Sequence, residues 1–388
     1  MDSFSLRRNT KTVSIGNISL GGNNPIRIQS MTNTNTMDTK NCCKQICELV
    51  DSGCELVRIA TPDIKSAQNL YEIKNTLLKI GYNVPLIADV HYNPKVAEVA
   101  ASLVEKVRIN PGNYFDRPSN KKRWTYKEYN EELERISLRL LPLVETCKRF
   151  NCAIRVGTNF GSLSQRIVSK YGNTPIAMAI SAMEFTKILD SLNFDQIVLS
   201  QKASNVQTMI QSTKLLCYLL DKENLNYPIH LGVTEAGDGN YGRIKSAIGI
   251  GTLLSLGIGD TIRVSLTENP EKEIAAAMDI LQASGKRIFK AEIISCPSCG
   301  RTKYNIEEAL QEVKKACEHL KGVKIGVMGC IVNGLGEMAD ADYGYIGSGK
   351  GIVNLYRKKD LIYKNIPQNK ALEKLISMIK EDGKWIDL

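Results

Sequence analysis

Eight short apolar runs, each followed by a helical pattern, constrain this chain more than any other feature. They are Ile26–Gln29, Leu56–Ala60, Pro85–Ala88, Val104–Ile109, Ala153–Val156, Gln196–Leu199, Ile229–Val233 and Thr261–Val264. A run of four to six residues with little polar alternation is what a strand buried on both faces looks like, and such strands need helices outside them. The helix starts are marked in places: Thr61-Pro62, Asn93-Pro94 and Asn269-Pro270 each offer an N-cap followed by proline at the first helical position. Eight β/α units predict a (β/α)₈ TIM-type barrel over residues 1–285. A doubly wound open sheet has the same element order, since counting strands does not show closure.

Barrels build their sites where strands end and the following loops begin. Here those ends carry Arg58, Asp89, His91, Arg108, Asn110, Arg155, Asn159, Lys202, Thr234, Glu235, Arg263 and Ser265. Any one of them could be a satisfied ion pair. Five cations converging from five strands are another matter, because a fold needs no such convergence. Guanidinium forks match phosphate oxygens, and each charge-assisted bond contributes about 1.5–3 kcal/mol. A small molecule with two phosphate groups suits five cations better than a monophosphate does.

After Gly285 the pattern restarts as a small α/β domain, residues 286–388. Its helices are expected at Asn305–Leu320 and Asn369–Ile379, and its strands at Val323–Met328, Tyr343–Ile346 and Ile352–Tyr356. The domain holds Cys296-Pro297-Ser298-Cys299-Gly300 and, later, Met328-Gly329-Cys330 followed by Glu337. Both sulfurs of a Cys-x-x-Cys can face one centre, and three thiols with a carboxylate fill four sites. The neighbouring glycines are expected to supply positive φ and close approach in a tight loop. Three centres fit. Zinc takes three Cys and one more ligand as a structural staple. An iron–sulfur cluster normally takes four Cys, so a weaker oxygen ligand would leave one iron exchangeable. A bare redox pair does not account for Cys330.

Composition excludes other classes. The net charge of +10 invites a nucleic-acid reading, but aromatics are only 6% and no RNA-binding motif occurs. Much of the charge reads as drift towards lysine, with attraction of an anionic substrate and an acidic electron donor as its functional side. The basic triplet Lys121-Lys122-Arg123 reads as a solvated loop. The longest apolar stretch, around Ala247–Ile258, is short and studded with glycine, so no membrane span is expected. The start lacks the apolar core of a signal peptide, and eleven cysteines then argue for a reducing cytoplasm. Eight of them, from Cys42 to Cys317, read as packing residues.

Cys296–Thr302 and Met328–Asp342 resemble the cluster motifs of the 4-hydroxy-3-methylbut-2-enyl diphosphate synthase family, the iron–sulfur enzymes of the methylerythritol phosphate route to isoprenoids. Similarity also covers Gln29–Asn33, Val57–Ala60, Ala88–His91, Val107–Asn113, Arg155–Leu163, Lys202–Ser204, His230–Gly237 and Ser246–Leu266. The resemblance implies a [4Fe-4S] cluster on Cys296, Cys299, Cys330 and Glu337, with ferredoxin or flavodoxin as donor. It implies methylerythritol cyclodiphosphate as substrate, its diphosphate held by Arg58, Arg108, Arg155, Lys202 and Arg263, helped by Asn159 and Ser265. Asp89, His91 and Glu235 match positions near the reacting carbons. Glu235 is the candidate for delivering a proton, and Asp89 for orienting arginines. Without the resemblance, a barrel enzyme on a phosphorylated substrate with a zinc-stapled domain remains the alternative.

Two departures from the family matter. Leu335 stands where proline is usual, which loosens the approach to Glu337. Val233–Glu268 and Met338–Tyr345 look closer to the large plastid-like form, which has an extra domain between barrel and cluster domain. This chain has only Asn269–Lys290 there. So short a link predicts a head-to-tail homodimer in which each cluster domain serves the partner's barrel.

Overall fold

The computed structural model describes residues 7–115, 123–302 and 304–387, and it divides into two compact units, Met1–Arg287 and Ile288–Leu388. Lys121 and Lys122 of the basic triplet fall outside the described residues.

The first unit opens with a hairpin, β1 (Val13–Ile15) and β2 (Ile18–Leu20), turned at Gly16 with φ 57°. Val13, Ile15 and Leu20 are fully buried against Leu56, Ile87, Ala153 and Val198 from the barrel strands. The hairpin is thus an apolar plug at the end where those strands begin. At about 1.5–3 kcal/mol for each large aliphatic side chain removed from water, it is a sizeable share of the barrel floor. Three-residue strands give too short a pattern to read from sequence.

Eight parallel strands follow: β3 (Arg27–Met31), β4 (Leu56–Ala60), β5 (Leu86–Asp89), β6 (Lys106–Ile109), β7 (Ala153–Asn159), β8 (Ile197–Lys202), β9 (His230–Leu231) and β10 (Thr261–Ile262). Their order is β8-β7-β6-β5-β4-β3-β10-β9, and a parallel bridge between Leu199 and Ile229 joins the two ends. The sheet therefore rolls into a nearly closed (β/α)₈ barrel, and the open-sheet alternative falls away. All eight expected runs carry a strand. The last two are only two residues long, as the chain turns early into the loops of the mouth.

The helices start where capping chemistry allows. Asn93 and Asn269 cap helices that begin with Pro94 and Pro270. Thr61-Pro62 is not a cap: Asp63 is, because its carboxylate accepts from Ser66 N while Ser66 Oγ accepts from Asp63 N. The long helix Tyr126–Phe150 starts on a Thr125/Glu128 capping box and ends at Asn151 in the left-handed region.

The second unit is a five-stranded sheet in sequence order, β11 (Glu292–Ser295), β12 (Lys324–Met328), β13 (Tyr343–Gly349), β14 (Ile352–Arg357) and β15 (Asp360–Pro367). The first three strands are parallel and the last two pairings antiparallel. Helices Ile306–Cys317 and Gln368–Glu381 bury Val313, Cys317, Leu375 and Met378 against it. The turn after Cys330 is a short helix, Ile331–Glu337, where a glycine loop was expected. Its glycines have no positive φ. Close approach matters at Gly334, where a Cβ would lie 3.2 Å from Met328 Cβ, and at Gly329 before the helix, where one would lie 2.5 Å from Thr302 Oγ1. Among the described residues no helix is long and apolar enough to cross a membrane.

Candidate functional site

Side-chain alternation sends every second residue of a barrel strand inward. At the C-terminal ends this gathers Arg58, Asp89, Arg108, Arg155, Lys202 and Arg263, all but Arg263 buried. Asp89 is the hub. It accepts from Arg108 Nη1 at 3.1 Å and lies 3.8 Å from Arg58 Nε. Arg108 also donates through Nη2 to Gly157 O at 2.9 Å, and a Cβ on Gly157 would meet its Nε at 2.5 Å. Only glycine lets this guanidinium lie against the next strand. His91 Nε2 lies 2.6 Å from Arg108 Nη1 and 3.5 Å from Asp89. A guanidinium only donates, so in the short contact His91 Nε2 is the acceptor.

Electrostatics follow from packing. Burial alone would raise the Asp89 carboxyl, but Arg58 and Arg108 outweigh it and hold the group well below the usual carboxylate range. Burial, reinforced by the neighbouring arginines, pushes the Lys202 amine and the Arg155 guanidinium well down. Arg58 is lowered to about 10 by burial, against the opposing pull of Asp89. The mouth holds more positive charge than it can neutralise.

One layer deeper lie residues the sequence reading did not single out. Lys106 and His230 are fully buried, and neither Lys106 Nζ nor either His230 nitrogen has a hydrogen-bond partner. Gln29 Oε1 and Nε2, Thr261 Oγ1, and Arg155 Nε and Nη1 are likewise unpartnered. Burial and the cations around them push both Lys106 and His230 well down. Lys106 was legible in principle: it precedes Arg108 by two residues on β6 and so shares its face.

Arg263 is held differently. Its Nε and Nη2 each lie 3.2 Å from the carboxylate of Glu273, which reaches in from the helix Pro270–Ala283. Met31 Sδ accepts from Arg58 Nη2 at 2.9 Å and Nε at 3.1 Å. Asn159 pairs in register with Lys202, and its Oδ1 is buried without a partner. Ser265 is half-buried. Glu235 is exposed in left-handed backbone, φ 52°. Among the described residues neither Ser265 nor Glu235 is joined to the ion-pair network.

In the second unit Cys296, Cys299, Cys330 and Glu337 line one cavity of about 180 Å³ with Arg301, Met328 and Val332. Gly329 N donates to Cys296 Sγ at 3.1 Å. The Cys299 thiol is lowered, chiefly by the backbone N–H of Arg301. Amide donors that favour thiolate suit metal ligation. Among the described residues, no three His, Cys, Asp or Glu side chains close on the position of a single ion. Three thiols and a carboxylate ring this one hollow, a donor set that can hold an iron–sulfur cluster.

A barrel with an anion-receptive mouth and a domain with a thiol-ringed hollow define a class: a barrel oxidoreductase for a phosphorylated substrate, with an iron–sulfur domain. Residues 10–278 match the GcpE TIM-barrel domain and residues 292–381 the GcpE protein C-terminal domain. The chain belongs to the GcpE family of iron–sulfur enzymes, which removes the zinc-stapled alternative. It is 52% identical to the 4-hydroxy-3-methylbut-2-en-1-yl diphosphate synthase (ferredoxin) of Prochlorococcus marinus subsp. pastoris, over 98% of this chain and 95% of that one. Proteins of the same description from a Synechococcus species and from Trichormus variabilis are 51% and 50% identical, over 98% of this chain and 96% and 94% of theirs.

Proposed function

We infer that this chain opens the ring of 2-C-methyl-D-erythritol 2,4-cyclodiphosphate reductively and expels one hydroxyl as water. The product is 4-hydroxy-3-methylbut-2-enyl diphosphate, for isoprenoid synthesis, with ferredoxin as electron donor. The observation that carries this reading on the chain itself is the mouth. Arg58, Arg108, Arg155, Lys202 and Arg263 converge there with Asp89 and Glu273 as their only buried carboxylates among the described residues. A diphosphate supplies the missing negative charge.

Cys296, Cys299 and Cys330, with Glu337 as fourth ligand, would hold the [4Fe-4S] cluster, which when bound would pass on, one at a time, the two electrons that ferredoxin donates. The chain's own residues do the rest. The arginine forks and Lys202 bind the diphosphate, with Asn159 and Ser265 beside them. Asp89, kept ionised by Arg58 and Arg108, is a poor proton donor and orients those arginines. His91 accepts from Arg108 and fixes the same fork. Proton delivery to the departing hydroxyl then falls to Glu235, whose exposed carboxyl stands on the loop after β9. We further propose a homodimer, in which one chain's cluster domain serves the other's barrel.

The test is metal content. Protein prepared without oxygen contains about four iron per chain and loses most of it in Cys330→Ser. Stoichiometric zinc in place of iron, in cells given ample iron, overturns the reading.

A further inference from the structure

Five N–H groups fan out from a guanidinium, and which edge faces a ligand depends on what occupies the others. For Arg263 one edge is taken. Glu273 lies 3.2 Å from both Nε and Nη2, as a side-on fork. The carboxylate is itself fixed, for it accepts from Ser30 Oγ on β3 and from Leu266 N just beyond β10, each at 3.1 Å. It is only 3% exposed. Glu273 therefore ties the helix after β10, the loop before that helix and the next strand of the barrel to one arginine. The edge left over, Nη1, faces Met31 Sδ at 3.7 Å, too long for more than a weak contact. Arg58 turns its own fork to the same sulfur, at 2.9 and 3.1 Å. Two guanidiniums thus flank one neutral thioether. Thioether sulfur is a weak acceptor, and a phosphoryl oxygen displaces it readily.

We propose that Glu273 is a positioning residue for substrate binding: by gripping the Nε/Nη2 edge of Arg263 it presents the Nη1 edge, opposite Arg58, to one phosphoryl group of the diphosphate. This deepens the reading of the mouth given above and rests on it. The role is to aim rather than to neutralise. A carboxylate that merely balanced charge could sit anywhere near Arg263, whereas this one is held by two further donors in the geometry a fork requires.

The experiment compares Glu273→Gln, Glu273→Asp and Arg263→Lys in the cluster-loaded enzyme, following KM, kcat, iron content and thermal stability. Gln keeps the size and can accept at one oxygen only. Asp keeps the charge but is one methylene too short to hold both nitrogens from the same backbone. If Glu273 aims Arg263, both variants raise KM about tenfold, the loss of roughly one aligned charge-assisted bond, while kcat and iron content stay within about twofold. Arg263→Lys raises KM at least as much, and combining it with Glu273→Gln adds little, because the two act as a unit. A folded Glu273→Asp with wild-type KM overturns the proposal in favour of simple charge balance. So does a wild-type KM in Glu273→Gln when Arg263→Lys is impaired. If Arg263→Lys itself leaves KM unchanged, what fails is the assignment of Arg263 to substrate, and this inference falls with it. Should Glu273→Gln not fold, the Asp variant, which preserves the buried charge, decides alone.

Discussion

Arg155 has surroundings that make poor sense for stability alone. It is 1% exposed, its Nε and Nη1 have no partner, and Arg58 and Arg108 press on it with like charge. Burying an unpaired cation is costly, and replacing one with an apolar group of similar volume is often neutral or stabilising. Lys106 and Lys202 are likewise buried among like charges. The barrel therefore buries like charges that an incoming anion would offset. Arg155→Met separates the two effects. In its absence of ligand the variant melts no lower than wild type, whereas inorganic diphosphate, which raises the wild-type melting temperature, raises it much less. Substrate binding weakens by about 2 kcal/mol or more. A variant that melts well below wild type but binds equally tightly shows Arg155 to be structural.

At the scale of elements, the short helix Ile331–Glu337 and the end of β13 set the thiol-ringed hollow. Gly347 on β13 lets that strand lie directly against the Cys330 turn: a Cβ there would fall 2.4 Å from Gly329 O and 2.8 Å from the Tyr304 ring. Tyr304 in turn donates to Met328 O at 3.0 Å. Backbone cannot yield as a side-chain end can, so Gly347→Ala displaces the turn at a cost of about 1–3 kcal/mol. Iron content falls while diphosphate binding by the barrel is retained; full iron loading of the alanine variant contradicts this account. What the sequence made legible follows the same division. Long periodic features stood out: the eight barrel strands, the capped helices at Asn93 and Asn269, and the polar strand ends. The β1–β2 plug did not, since three-residue strands offer no period to detect. Nor did the helix after Cys330, where Gly334 and Gly336 argue locally against helix and tertiary contacts with Met328 and Ile346 override them. Glu273 was hidden for another reason. It sits beside Ile274 on a helix marked only by its Asn269-Pro270 start, and nothing local marks a carboxylate that will reach into a barrel.

For the whole molecule the question is how a cluster meets a substrate bound in the mouth. Arg287, the last residue of the barrel unit, donates to Ile26 O and pairs with Glu55 at 2.6 Å, and Glu55 also binds Arg27. Ile26 and Glu55 immediately precede β3 and β4, so the chain leaves the barrel at the end where the strands begin. The mouth is at the opposite end. Residues 288–291 separate Arg287 from β11. We propose that the site is shared between two chains of a homodimer. Mixing two inactive variants, Arg155→Ala with its barrel impaired and Cys330→Ser with its cluster domain impaired, tests it. Under subunit exchange each heterodimer contains one site with an intact barrel and an intact cluster domain, so activity returns to roughly a quarter of wild type when half the dimers are mixed and each has one working site of two. If the chains form heterodimers and activity stays absent, each chain works on its own substrate.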